Sequence, residues 1–184
     1  MIKFGTGGWR AIIGDEFIKS NIVKVAQAFC DLMEEEGKKE LPVMVGYDRR
    51  FLSETSAKWI AEVFAGNGVK TLFMKRSTPT PMVMFTVKNR KLHYGVEVTA
   101  SHNPYDYNGI KFFVEEGRDA PIEVTNHIEQ LIEKAVVKSM DFSQAVKEGI
   151  VIYEKAPFND FVDSILNRLD VETIKKADLR ILFD

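Results

Sequence analysis

The densest group of reactive side chains is the run Thr99-Ala100-Ser101-His102-Asn103-Pro104-Tyr105-Asp106-Tyr107-Asn108-Gly109. It follows one strand-like run, His93 to Thr99, and precedes another, Ile110 to Val114. Open α/β sheets bind ligands beyond the carboxyl ends of their strands, and this run puts the Ser101 hydroxyl at such an end. Asn103-Pro104 and Asn108-Gly109 are turn signals, so a constrained loop is expected, with Lys111 emerging on its far side. Two readings stand at this point: a reactive site, or a polar crossover loop whose Ser and Asn satisfy backbone groups.

Spacing narrows the reactive reading. A hydrolase elbow needs Gly-x-Ser-x-Gly, and the flanking glycines are absent. Neighbouring residues of an extended chain point to opposite sides, which places His102 badly as a base for Ser101. A serine that carries a phosphoryl group fits better, because phosphoserine needs cations and amides around it more than a triad. Within the loop His102, Asp106 and Lys111 roughly cancel, so further positive charge must come from elsewhere in the fold or from a metal.

A second candidate is Gly5-Thr6-Gly7-Gly8-Trp9-Arg10. It is no dinucleotide fingerprint, since Arg10 stands where the third glycine belongs, and no P-loop, since Gly-Lys-Ser/Thr is missing. What remains is either a plain hairpin turn or a glycine turn whose amides around Thr6 and Gly7 face an anion, with Arg10 as a fork-shaped phosphate donor. Asp48-Arg49-Arg50 is either a surface ion pair or a cluster that supports the site. No Asp-x-Asp-x-Asp run or His-rich cluster occurs in the sequence, so no self-sufficient metal site is expected.

The elements that must hold these residues follow from periodicity. Ile22, Val25, Ala26, Phe29, Cys30 and Met33 recur at helical spacing over residues 20–36, with Ser20 or Asn21 as the cap and Gly37 after the last turn. Pro42 to Asp48 reads as a buried strand, Ser53 to Phe64 as a helix stopped by Gly66-Asn67-Gly68, and Val69 to Met74 as a strand. Pro79 and Pro81 impose extended neighbours ahead of a helix over Met82 to Lys88, and Pro121 opens a helix with Val124, Ile128, Leu131, Ile132 and Ala135 on one stripe. Strands alternating with helices predict a mixed, mostly parallel sheet sandwiched between helices.

Polar residues from Ser139 to Gly149 read as the end of a first domain, 1–150. Residues 151–184 read as the incomplete beginning of a second α/β domain, with a strand at Ile150 to Tyr153, a helix from Pro157 to Leu169 and a last strand over Leu179 to Asp184. Leu179, Ile181 and Phe183 alternate as a half-buried strand, and an uncovered edge there could recruit a second chain. The 184 residues, at ~150 per domain, agree with one domain and a remainder. A net charge of −2 without a basic block argues against a nucleic-acid or anionic-membrane surface as the main function. Cys30, the only cysteine, rules out an intrachain disulfide and fits a cytoplasmic location. No apolar run approaches the ~18 residues of a membrane span.

Thr99-Ala100-Ser101-His102-Asn103-Pro104 resembles the phosphoserine signature of the α-D-phosphohexomutases, the phosphoglucomutase/phosphomannomutase group. Gly5 to Arg10, Asp48-Arg49-Arg50 with Ser53, Thr78-Pro79-Thr80-Pro81 and Asn108-Gly109-Ile110-Lys111 extend the resemblance over about the first 115 residues. It implies that phosphorylated Ser101 donates to a hexose phosphate, that a hexose 1,6-bisphosphate reorients, and that the other phosphate returns to Ser101. Ser101 is then implied as a magnesium ligand through its phosphate, Arg10 as a stabiliser of the phosphoryl group and Lys111 as a general acid/base. Thr6, Gly7, His102, Asn103 and Arg50 are implied around the phosphate. The family has four domains, so the metal-binding aspartate loop and sugar-recognition loop are expected on domains this sequence does not contain. An isolated chain is then inactive and needs those missing domains as partners. The alternative is a non-catalytic phosphosugar-binding or interaction module that associates through its terminal strand.

Overall fold

The computed structural model describes residues 2–5, 7–154 and 157–183. In chain order the elements are β1 (Phe4–Gly5), β2 (Gly8–Ile12), α1 (Lys19–Glu35), β3 (Val43–Tyr47), α2 (Ser53–Gly66), β4 (Thr71–Met74), α3 (Thr80–Asn89), β5 (Gly95–Val98) and β6 (Tyr107–Val114). A short 3-10 turn at Glu115–Gly117 leads to β7 (Arg118–Asp119), α4 (Ile122–Ile132), α5 (Phe142–Lys147), β8 (Val151–Glu154), α6 (Pro157–Leu166) and α7 (Val171–Lys176).

The strands form one mixed sheet in the order β1-β2-β6-β5-β3-β4-β8, with β7 on β6. β5, β3, β4 and β8 run parallel because helices connect them, whereas β5 and β6 are joined by the Ser101 loop alone and therefore pair antiparallel. Apolar faces close the sheet on both sides, as an α/β layer requires. On one face Phe29 of α1 stacks on Phe112 of β6 at 4.3 Å, and α2 covers β3, β4 and β5. On the other face α3 lies against β3, β5 and β6, with α6 packed on α3.

That close approach of α3 is made by glycine. A methyl group on Gly46 would stand 2.4 Å from Val83, and one on Gly95 2.5 Å from Val87. α1 ends as its sequence demands, with Gly37 at φ +66° and the Lys38 N–H donating to the Met33 carbonyl. Its cap differs from the expected Ser20 or Asn21. The flanking residue is Ile18, without a side-chain cap, and Asn21 donates to the Glu16 carbonyl instead.

Several sequence expectations change. Asn108-Gly109 is not a turn but the start of β6, since the Asn108 amide is occupied by Phe51 and Ser53 and Gly109 fills a place where no Cβ fits. The polar stretch 139–149 contains α5, capped by Asp141, and the sheet continues past residue 150 because β8 pairs with β4. Leu179 to Phe183 forms no strand. Leu179, Ile181, Leu182 and Phe183 are 61% to 95% exposed with no sheet edge beside them, and an isolated strand has no ladder to stabilise it. Self-association through that strand therefore loses its structural basis; Asp184 lies outside the described residues. Among the described residues no helix is long and apolar enough to cross a membrane.

Candidate active site

Ser101 sits at φ +56°, in the left-handed region that costs a side-chain-bearing residue roughly 1–2 kcal/mol. Its exposed hydroxyl projects from a loop whose backbone is closed on itself: the Ser101 N–H donates to Thr99 Oγ1 at 3.0 Å, Asn103 N–H to the Ala100 carbonyl at 3.0 Å and Tyr107 N–H to the Pro104 carbonyl at 3.1 Å. His102 Nδ1 is 3.5 Å from Ser101 Oγ, at the outer limit of a hydrogen bond. The two side chains stand closer than an extended chain would put them, because Ser101 is left-handed rather than extended.

Arg50 holds the loop. Its guanidinium donates to the carbonyls of Ser101 (3.0 Å), Asn103 (2.6 Å), Pro104 (2.6 Å) and Tyr107 (3.1 Å). Asp48 orients it through Nε at 3.5 Å, accepts the Arg50 backbone N–H at 2.8 Å and accepts from Ser53 Oγ at 2.6 Å. Asn108 ties the far side of the loop to the same cluster, donating to Ser53 Oγ at 2.8 Å and to the Phe51 carbonyl at 2.9 Å. The structure thus uses Arg50 to build the loop and leaves little of its guanidinium to face a phosphate.

Arg10 is placed differently. It stands on β2 opposite Gly109, where an added Cβ would meet the Trp9 carbonyl at 2.4 Å and Arg10 Cγ at 3.0 Å, so only glycine lets the arginine cross the base of the loop. Its Nε is buried with no hydrogen-bond partner, a donor that the fold itself leaves unsatisfied. Lys111 is 14% exposed, and its ammonium pairs with Asp119 at 2.8 Å and lies 5.5 Å over the Phe113 ring. Gly7, at φ +70°, lies against Asp119 and so joins Lys111. Thr6 lies outside the described residues.

Ser53 and Asn108 carry part of the sequence resemblance without an assigned role, whereas Asp119 is not singled out in the sequence, and neither are Lys75 and Arg76. With Arg49, Ser77 and Thr78, the last two line a cavity of about 660 Å³ beyond the ends of β3 and β4, and Arg49 Nε donates to Ser77 Oγ at 3.2 Å. These are cations of the kind the loop itself lacks. Their signal was positional: basic residues immediately after two adjacent parallel strands. Among the described residues no three His, Cys, Asp or Glu side chains gather as metal ligands. Ser101 alone offers one oxygen, fewer than magnesium requires.

A helix-covered α/β sheet bearing an exposed, clamped serine at the end of a parallel strand, flanked by arginines, defines a domain suited to phosphoryl groups. The family model described as phosphoglucomutase/phosphomannomutase, alpha/beta/alpha domain I, matches residues 1–138. The chain belongs to the phosphoglucomutase/phosphomannomutase family. It is 30% identical over 181 residues to the phosphoglucosamine/phosphogalactosamine mutase of Sulfurisphaera tokodaii, covering 98% of this chain and 38% of that protein. It is 31% identical over 182 residues to the phosphoglucomutase/phosphomannomutase of Thermococcus kodakarensis, covering 98% and 39%. A solved phosphoglucomutase/phosphomannomutase family protein of Burkholderia thailandensis shares the fold with a TM-score of 0.74 at 22% identity, covering 92% of this chain and 37% of that one. The chain thus spans under two fifths of the length of these relatives.

Proposed function

We propose that this chain is the nucleophile-bearing domain of a phosphohexomutase, with Ser101 as the residue that carries the phosphoryl group. A hydroxyl of a hexose monophosphate attacks the phosphorus, the bond to Ser101 Oγ breaks, and the hydroxyl proton ends on Oγ. The bisphosphate so formed returns its other phosphoryl group in the reverse sense, regenerating phosphoserine and leaving the isomeric hexose phosphate. Lys111, paired with Asp119, is the group that moves the proton, and Arg10 meets the charge on the transferring group. Transfer of this kind depends on positioning and charge stabilisation more than on covalent assistance. A magnesium ion, when bound, would be held in part by the phosphate oxygens on Ser101, with other donors from outside the described residues, and would supply charge stabilisation to the transferring group.

The observation that carries this reading is the exposed left-handed Ser101 on a loop clamped by four bonds from Arg50, beside an Arg10 with an unused buried donor. The test is intact mass after incubation with glucose 1,6-bisphosphate. One added phosphoryl group is expected on the parent chain and none on Ser101→Ala; a phosphate that persists in Ser101→Ala overturns the assignment. In a coupled assay with glucose 1-phosphate, the chain alone is expected to show no turnover.

A further inference from the structure

Glu97 lies on β5, four residues before Ser101, and is 0% exposed. Neither carboxyl oxygen has a hydrogen-bond partner. The registers place it in a lateral row, Gly8, Lys111, Glu97, Gly46, crossing β2, β6, β5 and β3 on the face that α3 covers. Both ends of the row are glycine, so Lys111 and Glu97 are its only side chains, opposite charges in direct cross-strand register. They close no ion pair, because the Lys111 ammonium is committed to Asp119. Val83 seals the row at Gly46 and Val87 lies over Gly95. From α3 the Thr80 hydroxyl approaches the carboxyl without completing a hydrogen bond, and from the end of β3 Asp48 adds negative charge. An acid buried without a partner takes a proton rather than hold an unpaired charge. Burial, increased by Asp48 and opposed by Thr80 and Lys111, pushes the Glu97 carboxyl up to about 7.

We propose, resting on the reading of Ser101 as phosphoryl carrier, that Glu97 is the charge-balancing group of the serine site, taking a proton from solvent when Ser101 gains phosphate and releasing it when the phosphate leaves. The transfer reaction is already balanced in protons, so this exchange adjusts only the charge beneath the loop. A phosphoserine brings roughly −1.5 to −2 charges to the end of the strand that holds Glu97, within the ~14 Å that four residues can span. The loop cannot neutralise that charge internally, since Arg50 is engaged by carbonyls and Lys111 by Asp119. Glu97 acts through the field around Ser101 and is a positioning residue, without contact to the reacting atoms.

The test compares two ¹³C-labelled forms of the whole chain, one with Ser101 and one with phosphoserine installed at 101 by genetic encoding. The Glu97 carboxyl carbon is followed by NMR from acid to alkaline pH. Its midpoint is expected near neutrality with Ser101 and higher by about one pH unit with phosphoserine, from Coulomb interaction at an effective dielectric of ~20 reduced by salt screening. By reciprocity, the ³¹P signal of the phosphoserine chain is expected to show a second step at the Glu97 midpoint that is absent from Glu97→Gln, a readout that a purely packing role leaves unmoved. A Glu97 midpoint with the ordinary glutamates, or one that does not respond to phosphoserine, overturns the proposal. Because the phosphate is installed, failure of Ser101 to accept phosphate from a bisphosphate appears only in the mass experiment and leaves this comparison intact.

Discussion

Arg50 donates to four carbonyls from the Ser101 loop and the first residue of β6, and the left-handed Ser101 persists because its surroundings determine it. A planar fork with donors on two nitrogens can reach four acceptors at once; an ammonium cannot. Arg50→Lys keeps the charge and loses the geometry. It is expected to lower stability by about 2 kcal/mol, nearly as much as Arg50→Ala, and to abolish phosphate uptake at Ser101. Urea titration and intact mass give the two readouts; if Arg50→Lys retains both, the arginine acts as a cation toward phosphate rather than as a clamp. At this scale the sequence made Ser101, Arg10 and Lys111 legible through residue type and position at strand ends. It offered both a surface ion pair and a supporting cluster for Asp48-Arg49-Arg50, because the choice depends on which carbonyls lie across the loop. Glu97 passed as an ordinary strand residue, although a strand buried on both faces reads as nearly continuous apolar sequence and the single acid between Val96 and Val98 interrupts it.

α3 reaches the sheet over two glycines, and this fixes the floor beneath Glu97. Gly46→Ala puts a methyl 2.4 Å from Val83 Cγ2, and a β-branched side chain has few rotamers with which to yield. The expected cost is about 1–3 kcal/mol. Val83→Ala in the same chain makes room, so the double variant should be more stable than the sum of the two single losses predicts; additive losses in thermal melts would show that α3 does not rest on Gly46. The helices and parallel strands were legible because long apolar stripes and short apolar runs carry their own period. The β5–β6 pairing was harder, since Asn108-Gly109 has the composition of a turn yet is recruited by Asn108 contacts to Ser53 and by the narrow gap at Gly109. The Leu179 to Phe183 alternation shows the converse: a strand pattern without a neighbouring edge does not make a strand.

Across the whole molecule, acids at the surface and the acid in the core respond to pH with opposite signs. Glu34, Glu40, Glu115 and Asp170 are held below the usual range by side-chain hydrogen bonds or backbone donors, so their support fades as pH falls. They are solvent-exposed and screened, which keeps each effect small. Glu97 is the reverse case, with its carboxyl raised from 4.5 to about 7 by burial. Between those values the folded chain binds more protons than the unfolded one, so the stability linked to Glu97 is fully present below 4.5 and is lost as pH rises through 7. At ~1.4 kcal/mol for each tenfold change in proton affinity, the rise at Glu97 amounts to about 3 kcal/mol. Glu97→Gln cannot ionise and removes this slope, while any fixed cost of burying the amide is the same at every pH. The stability of Glu97→Gln relative to the parent chain is therefore expected to increase by about 2 kcal/mol between about pH 5 and about pH 8. Urea midpoints at the two pH values measure this difference directly. A constant difference would mean that Glu97 stays ionised in the folded chain, with Lys111 or water reaching it after all.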